Sequence, residues 1–220
     1  MLNNNLCLAD NLILASLKYG KLQTYSDKEM VHARGDKSIG LSIVETGLIK
    51  FGNYGLDGRY YLTRMMSRGE TFGEFTLFAN LPRTHTAESY CESRVLHLTQ
   101  SGFNKLCQAE PNFQSQLMSL LAIKLHTCLE VLDDITRLPL YVRLAKLLLN
   151  LQQQNTNRPV FLTQTDLSAL LGVTVLSTHK ALKKLAELQL VKLNYGNISV
   201  SNIPKLATWL EVHSSIQKLQ

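Results

Sequence analysis

From Phe103 to Leu138 the chain contains no glycine and only one proline, Pro111. Few features constrain a fold more, because so long a run with a single breaker, and with apolar residues at helical spacing, favours extended helix. Pro111 sits where a helix starts, since its fixed φ suits the first turn and its missing N–H would be unpaired there anyway. The spacing predicts a helix of about seven turns. Leu117, Leu121, Cys128, Val131, Ile135 and Leu138 form one apolar stripe, interrupted by the charge of Lys124, and Met118, Ala122, Leu125, Leu129 and Leu132 form a second. A helix buried only on its own domain needs one stripe. Two adjacent stripes favour a dimer seam as well.

On either side of this run the pattern differs. From Lys21 to Leu98, Gly, Asp, Asn or Ser break the chain every eight to twelve residues, and β-prone segments such as LSIV, LIKF, RYYLTRMM and SRVLHLT lie between the breaks. That spacing fits a compact antiparallel sandwich or barrel, with GLDG as a hairpin turn. Pro139 closes the long helix, because proline disfavours helix in Leu138. LYVRLAKLLLNLQQQN restarts a helix, and QQQNTNRP reads as a polar linker. The expected divisions are a β sensor domain over 1–110, the long helix over 111–138 and a C-terminal domain over 139–220. The fold class is α+β.

The C-terminal domain holds the most specific local organisation. Thr163 and Asp166 occupy the positions of a capping box before QTDLSALL, Gly172 sits where a tight turn needs positive φ, and Thr174 is placed to cap VLSTHKALKKLAEL. Helix, short glycine turn and helix make a helix-turn-helix, whose second helix enters the DNA major groove. LVKLNYGNISVS adds a hairpin, giving a winged helix. Charge agrees with this reading: of a formal net charge of +6, residues 160–220 carry six Lys and Arg against three acids. Expected readers are Val175, Leu176, Ser177, His179 and Lys180, with Gln164, Thr174 and Lys183 gripping phosphates.

Other classes find less support. No apolar run approaches the roughly 20 residues of a membrane span, and the N-terminus lacks a positive region and a cleavage site, so no membrane partner and a cytoplasmic location are expected. Cys7, Cys91, Cys107 and Cys128 stand far apart without CxxC pairs, which predicts buried free thiols and neither a metal site nor disulfides. No Ser-His-Asp grouping or P-loop suggests an enzyme.

The stretch RGETFGEFTLFANLPRTHTAES, residues 68–89, carries the last signal. Its Gly-Glu, short apolar segment and Arg followed by Thr resemble the phosphate-binding cassette of cyclic-nucleotide-binding domains. With the long helix and winged helix, the chain from about Leu17 to Val200 resembles the CRP/FNR (cyclic AMP receptor protein and fumarate-nitrate regulator) family of bacterial transcription factors. The resemblance implies a jelly-roll-like β-roll that binds cyclic nucleotide, a dimerisation helix and a winged helix-turn-helix. It implies that Gly73 brings backbone to the ligand, Glu74 accepts from a ribose hydroxyl, Arg83 pairs with the phosphate and Thr84 stands beside it. His85 replaces a small residue, and Thr127 and Cys128 fall where the base is read. Cyclic AMP or a related nucleotide is the implied effector, with no covalent cofactor. The implied partners are a second copy, a palindromic duplex operator and RNA polymerase. Val175 and Leu176 replace an Arg-Glu pair, so the operator of the cyclic AMP receptor is not expected to be a good site. The lone Cys7 offers no N-terminal iron-sulfur set. A winged helix that docks protein, and a regulator with a degenerate pocket, are the alternatives.

Overall fold

The computed structural model of the chain describes residues 6–58, 60–154, 163–194 and 197–214. Two compact units are present, Met1–Cys128 and Leu129–Gln220. The first contains helix α1 (Asp10–Ser16), strands β1 (Lys21–Tyr25), β2 (Met30–His32), β3 (Leu41–Thr46), β4 (Ile49–Tyr54), β5 (Tyr60–Met66) and β6 (Thr71–Phe72), helix α2 (Glu74–Ala79), strands β7 (Thr86–Ser89) and β8 (Ser93–Leu98), and helix α3 (Gln100–Ala109). Helix α4 (Pro111–Arg137) begins there and continues into the second unit. After it come α5 (Leu140–Gln154), α6 (Gln164–Leu171), α7 (Val175–Glu187), β9 (Val191–Asn194), β10 (Asn197–Val200) and α8 (Ile203–Ser214).

The strands of the first unit form two four-stranded antiparallel sheets, ordered β1-β8-β3-β6 and β2-β7-β4-β5. Alternation along β3 and β8 assigns their side chains to two cores. Leu41, Ile43, Leu96 and Leu98 join Leu12, Ile13, Phe103, Leu106, Phe113 and Leu117, the apolar faces of α1, α3 and the start of α4. Val44 and Val95 point the other way, to a core between the sheets with Tyr25, Ile49, Met66, Phe72 and Ala87. Ser42 and His97 share that inward parity. The GLDG hairpin forms as expected, Tyr54 pairing with Tyr60, although Arg59 lies outside the described residues.

In the second unit α5, α7 and α8 surround a core in which Leu144, Leu167, Leu182, Leu185 and Leu206 are completely excluded from water. Each such leucine stabilises by about 1.5–3 kcal/mol. The expected capping box is present, with Thr163 Oγ1 accepting from the Asp166 amide at 3.1 Å and Asp166 Oδ2 accepting from the Thr163 amide at 2.9 Å. Gly172 closes α6 at φ 65°, and Thr174 caps α7. β9 and β10 pair as a hairpin whose tip, at 195–196, lies outside the described residues.

Two expectations need correction, and one element was not expected at all. Residues 152–154 of the expected linker extend α5, because glutamine is a good helix former, and its remainder from 155 lies outside the described residues. The cysteines are free but none is fully buried: Cys7, Cys91 and Cys107 are half-buried and Cys128 is exposed. Helix α8 has no counterpart in the sequence reading. It stacks the chain's single tryptophan, Trp209, on His213 with ring centres 4.1 Å apart, and Trp209 also meets Tyr141 of α5.

Candidate functional site

In the first unit the site begins with a backbone device. Gly73 stands at φ 101°, a left-handed conformation that glycine adopts freely, and a Cβ there would run into the guanidinium of Arg83 and the carbonyl oxygen of Gly40. Only glycine lets α2 start with Arg83 lying across its backbone. The backbone of Arg83 is pinned in turn: its amide donates to Asp36 O at 2.8 Å, and its carbonyl accepts from the Gly35 amide at 2.8 Å.

Glu74, the next residue, is buried, and its Oε1 accepts from the Thr71 hydroxyl at 2.6 Å and from Lys124 Nζ at 2.7 Å. Lys124 also donates to the Thr71 carbonyl at 2.7 Å. Burial pushes the Glu74 carboxyl up, but the ammonium of Lys124 and the Thr71 bond outweigh it and hold the group below its ordinary value. The residue that interrupts the apolar stripe of α4 is therefore the counter-ion of Glu74.

Arg83 has no such partner. Its Nη2 makes a long bond of 3.4 Å to Gly40 O, while Nε and Nη1 are buried without an acceptor. Burial lowers its pKa, with Glu74 and Asp36 opposing. Arg83 lines a cavity of about 210 Å³ with Ser38, Gly40, Ser42, His97 and Thr99. The His97 ring bridges two hydroxyls there, Nε2 to Tyr25 at 2.8 Å and Nδ1 to Ser42 at 2.9 Å. Burial, Arg83 and Lys21 push the His97 pKa down to about 4. Burial and Arg83 do the same to His32, which sits against the Phe51 and Phe72 rings. Both imidazoles are thus neutral near pH 7, leaving Arg83 as the cavity's cation. An arginine with two unpaired nitrogens in a cavity that also holds hydroxyls is equipped to take an anion.

The other expected ligand residues lie around this centre in different ways. Thr84 is exposed, with its hydroxyl 2.9 Å from His85 Nδ1, and His85 is half-buried with its pKa lowered by burial and then by Arg34. Neither lines the cavity. Thr127, three residues beyond Lys124 on α4, turns its hydroxyl back to the Ile123 carbonyl at 2.9 Å. Ser42, His97, Tyr25 and Lys124 went unassigned in the sequence. His97 could have been found from its parity with Val95 in SRVLHLT, which points it inward. Among the described residues no three His, Cys, Asp or Glu side chains are grouped to hold a metal, and no helix is long and apolar enough to cross a membrane.

In the second unit, α7 exposes Val175, Leu176, His179, Lys180 and Lys183, whereas Thr178, Ala181, Leu182 and Leu185 face the core. Val175 and Leu176 are 44% and 64% exposed. Thr174 is occupied as the cap, its Oγ1 accepting from the Ser177 amide at 3.1 Å and lying 2.9 Å from the Ser177 hydroxyl. Gln164 Oε1 lies 3.3 Å from His179 Nδ1, which ties the first residue of α6 to the outer face of α7.

Two family matches coincide with these sites. Residues 22–110 match the cyclic nucleotide-binding domain, and residues 142–209 match the Crp-like helix-turn-helix domain. The chain is 28% identical over 184 residues to a CRP-like cAMP-activated global transcriptional regulator of Mycobacterium tuberculosis, covering 80% of this chain and 82% of that one. It is 25% identical over 193 residues to the cyclic AMP receptor protein of Thermus thermophilus, covering 88% and 89%. A mutant of CooA from Carboxydothermus hydrogenoformans shares the fold with a TM-score of 0.72 at 15% identity, over 88% of this chain and 89% of that one.

Proposed function

Because the chain belongs to the CRP/FNR family of transcription regulators, we propose that it works as a homodimer that binds a palindromic operator in response to a cyclic-nucleotide-type effector. The observation that carries the effector is Arg83, whose Nε and Nη1 are buried without an acceptor beside a cavity of mixed lining. A cyclic phosphodiester supplies the missing acceptors, and the ribose hydroxyl of the same ligand is the donor that suits Glu74. Because Lys124 and Thr71 already hold Oε1 of Glu74, a ribose hydroxyl there would share the carboxylate with Lys124 or displace it. The M. tuberculosis relative is described as cAMP-activated, which makes cyclic AMP the first ligand to test.

The test is a thermal-shift series with cyclic AMP, cyclic GMP and cyclic dinucleotides on the full chain. A ligand at 100 times its Kd stabilises the native state by about 2.7 kcal/mol. No shift with any of them would remove the nucleotide effector and leave a regulator with a degenerate pocket.

Dimerisation is supported by α4, where Met118, Leu125, Leu129, Val131, Leu132 and Ile135 are all about half exposed or more. An apolar face that large on one helix suits a partner copy. Two copies would then offer two α7 helices to successive major grooves, about one helical turn apart. Effector contacts that differ between two dimer arrangements would supply the coupling. The proposal places the protein in the cytoplasm with RNA polymerase as its downstream partner, and assigns it no catalysis. Salt-dependent retention on random duplex DNA tests the DNA-binding reading; no retention even at low salt would favour a winged helix that docks protein.

A further inference from the structure

Of the exposed residues on α7, Val175 and Leu176 offer only apolar contact and Lys180 can only donate. His179 could do either, depending on which ring nitrogen carries the proton. Gln164 bears on this. Its Oε1 lies 3.3 Å from His179 Nδ1, and an amide oxygen accepts but never donates, so with the amide in this orientation Nδ1 holds the proton; turned over, the amide would donate to Nδ1 instead. Nε2, on the opposite side of the ring, is left with a lone pair. The arrangement is anchored: Gln164 is the first residue of α6, held in place by the Thr163–Asp166 capping box, and is half-buried while His179 is exposed.

We propose that Gln164 is a positioning residue that makes His179 a hydrogen-bond acceptor in the major groove, so that the base it reads is adenine or cytosine. Those two bases present exocyclic amino donors in that groove, N6 of adenine and N4 of cytosine, whereas guanine and thymine present acceptors. A histidine left free to change tautomer would have no such preference. The assignment rests on the proposed DNA binding and adds to it a specificity rule at one operator position. Beside it Lys180, a donor, suits guanine or a phosphate, so neighbouring residues of one helix turn read opposite patterns.

The experiment starts from an operator selected in vitro by the full-length protein, then measures affinity for all four bases at each position with the wild type and three variants. His179→Ala identifies the position by losing preference there. At that position the wild type is expected to favour adenine or cytosine by about fivefold, the worth of one hydrogen bond. Gln164→Ala should reduce this preference to within about twofold, because the tautomer is released. Gln164→Glu keeps an acceptor on Nδ1, but its carboxylate also favours the imidazolium, in which both nitrogens donate, so the preference should survive in alkaline buffer and fade as pH falls, while its charge near the phosphates weakens binding to every sequence alike. Guanine favoured by the wild type at that position, no position altered by His179→Ala, or a preference that survives Gln164→Ala would each overturn the assignment while DNA binding stood. Failure to retain any duplex at low salt would instead remove the DNA-binding reading, and the assignment with it.

Discussion

Lys124 of α4 and Glu74 at the start of α2 are fifty residues apart in sequence and 2.7 Å apart in space, and neither has ready access to water. Removing one member of such a pair leaves the other charged in a medium that disfavours charge. Lys124→Met is therefore expected to cost about 3 kcal/mol and to raise the Glu74 carboxyl above its ordinary range. The double variant Lys124→Met with Glu74→Gln should recover most of that loss. Denaturant unfolding of the four proteins in the cycle checks it, and additive losses would show that the contact is not an energetic pair.

Arg83 presents the opposite case, a partly buried cation without a matched acceptor. Arg83→Gln should leave the melting temperature of the unliganded protein unchanged or slightly raised, while removing the stabilisation by cyclic nucleotide. Calorimetric titration that still registers the nucleotide in this variant would exclude Arg83 as the phosphate partner.

The two depressed histidines make stability depend on pH. His97 and His32 are held near 4 in the folded chain against an ordinary value of 6.5, so the unfolded chain binds more protons between those values. Stability is full above pH 6.5 and is lost as pH falls toward 4. Glu74, held below its ordinary 4.5, adds a loss that begins only below that value. The groups that face the histidines are Arg83, Lys21 and the Tyr25 hydroxyl for His97, and Arg83, Asp36, His97 and the backbone of His85 for His32. His97→Asn should flatten the slope between pH 6.5 and 4.5 by roughly 1–2 kcal/mol, a figure reduced for partial solvent screening. Urea melts at the two pH values measure it.

On α4, Leu125 and Leu132 are seven residues apart and about 60% exposed. Leu132→Lys should convert the protein from dimer to monomer in sedimentation experiments and weaken binding to a two-half-site operator far more than to a single half-site. A wild type that sediments as a monomer at micromolar concentration would refute the seam.

Lys180 separates two modes of contact. If it reads a base, Lys180→Ala relaxes preference at one operator position; if it holds a phosphate, affinity falls for all sequences and the salt slope becomes shallower by about one unit. Footprint affinities at three salt concentrations distinguish them.

Much of this architecture was legible because it is written in local spacing. Turn residues every eight to twelve positions marked the strands, Pro111 and Pro139 bracketed α4, and Thr163, Asp166, Gly172 and Thr174 fixed the limits of α6 and α7. Lys124 was visible as a charge on an apolar stripe, yet nothing near it named Glu74, since that pairing exists only once α4 lies on the β unit. The bridge from Tyr25 through His97 to Ser42 spans three strands, and only strand register brings it together. The tie between Gln164 and His179 depends on the turn angle at Gly172. Helix α8 carries Leu206 and Leu210 four residues apart after a proline in its first turn, but the core of α5 and α7 leucines that they join exists only in the folded unit.

The stack of Trp209 on His213 has a practical result. Since the sequence holds one tryptophan and α8 places it in the second unit, excitation of indole emission sees that unit alone. Unfolding followed by this emission reports the half that carries α7, while circular dichroism, to which both units contribute, reports the whole chain. Two transitions that fail to superimpose would show the two units melting separately, and a ligand bound by the first unit that shifts the emission curve would reveal coupling between them without any added label.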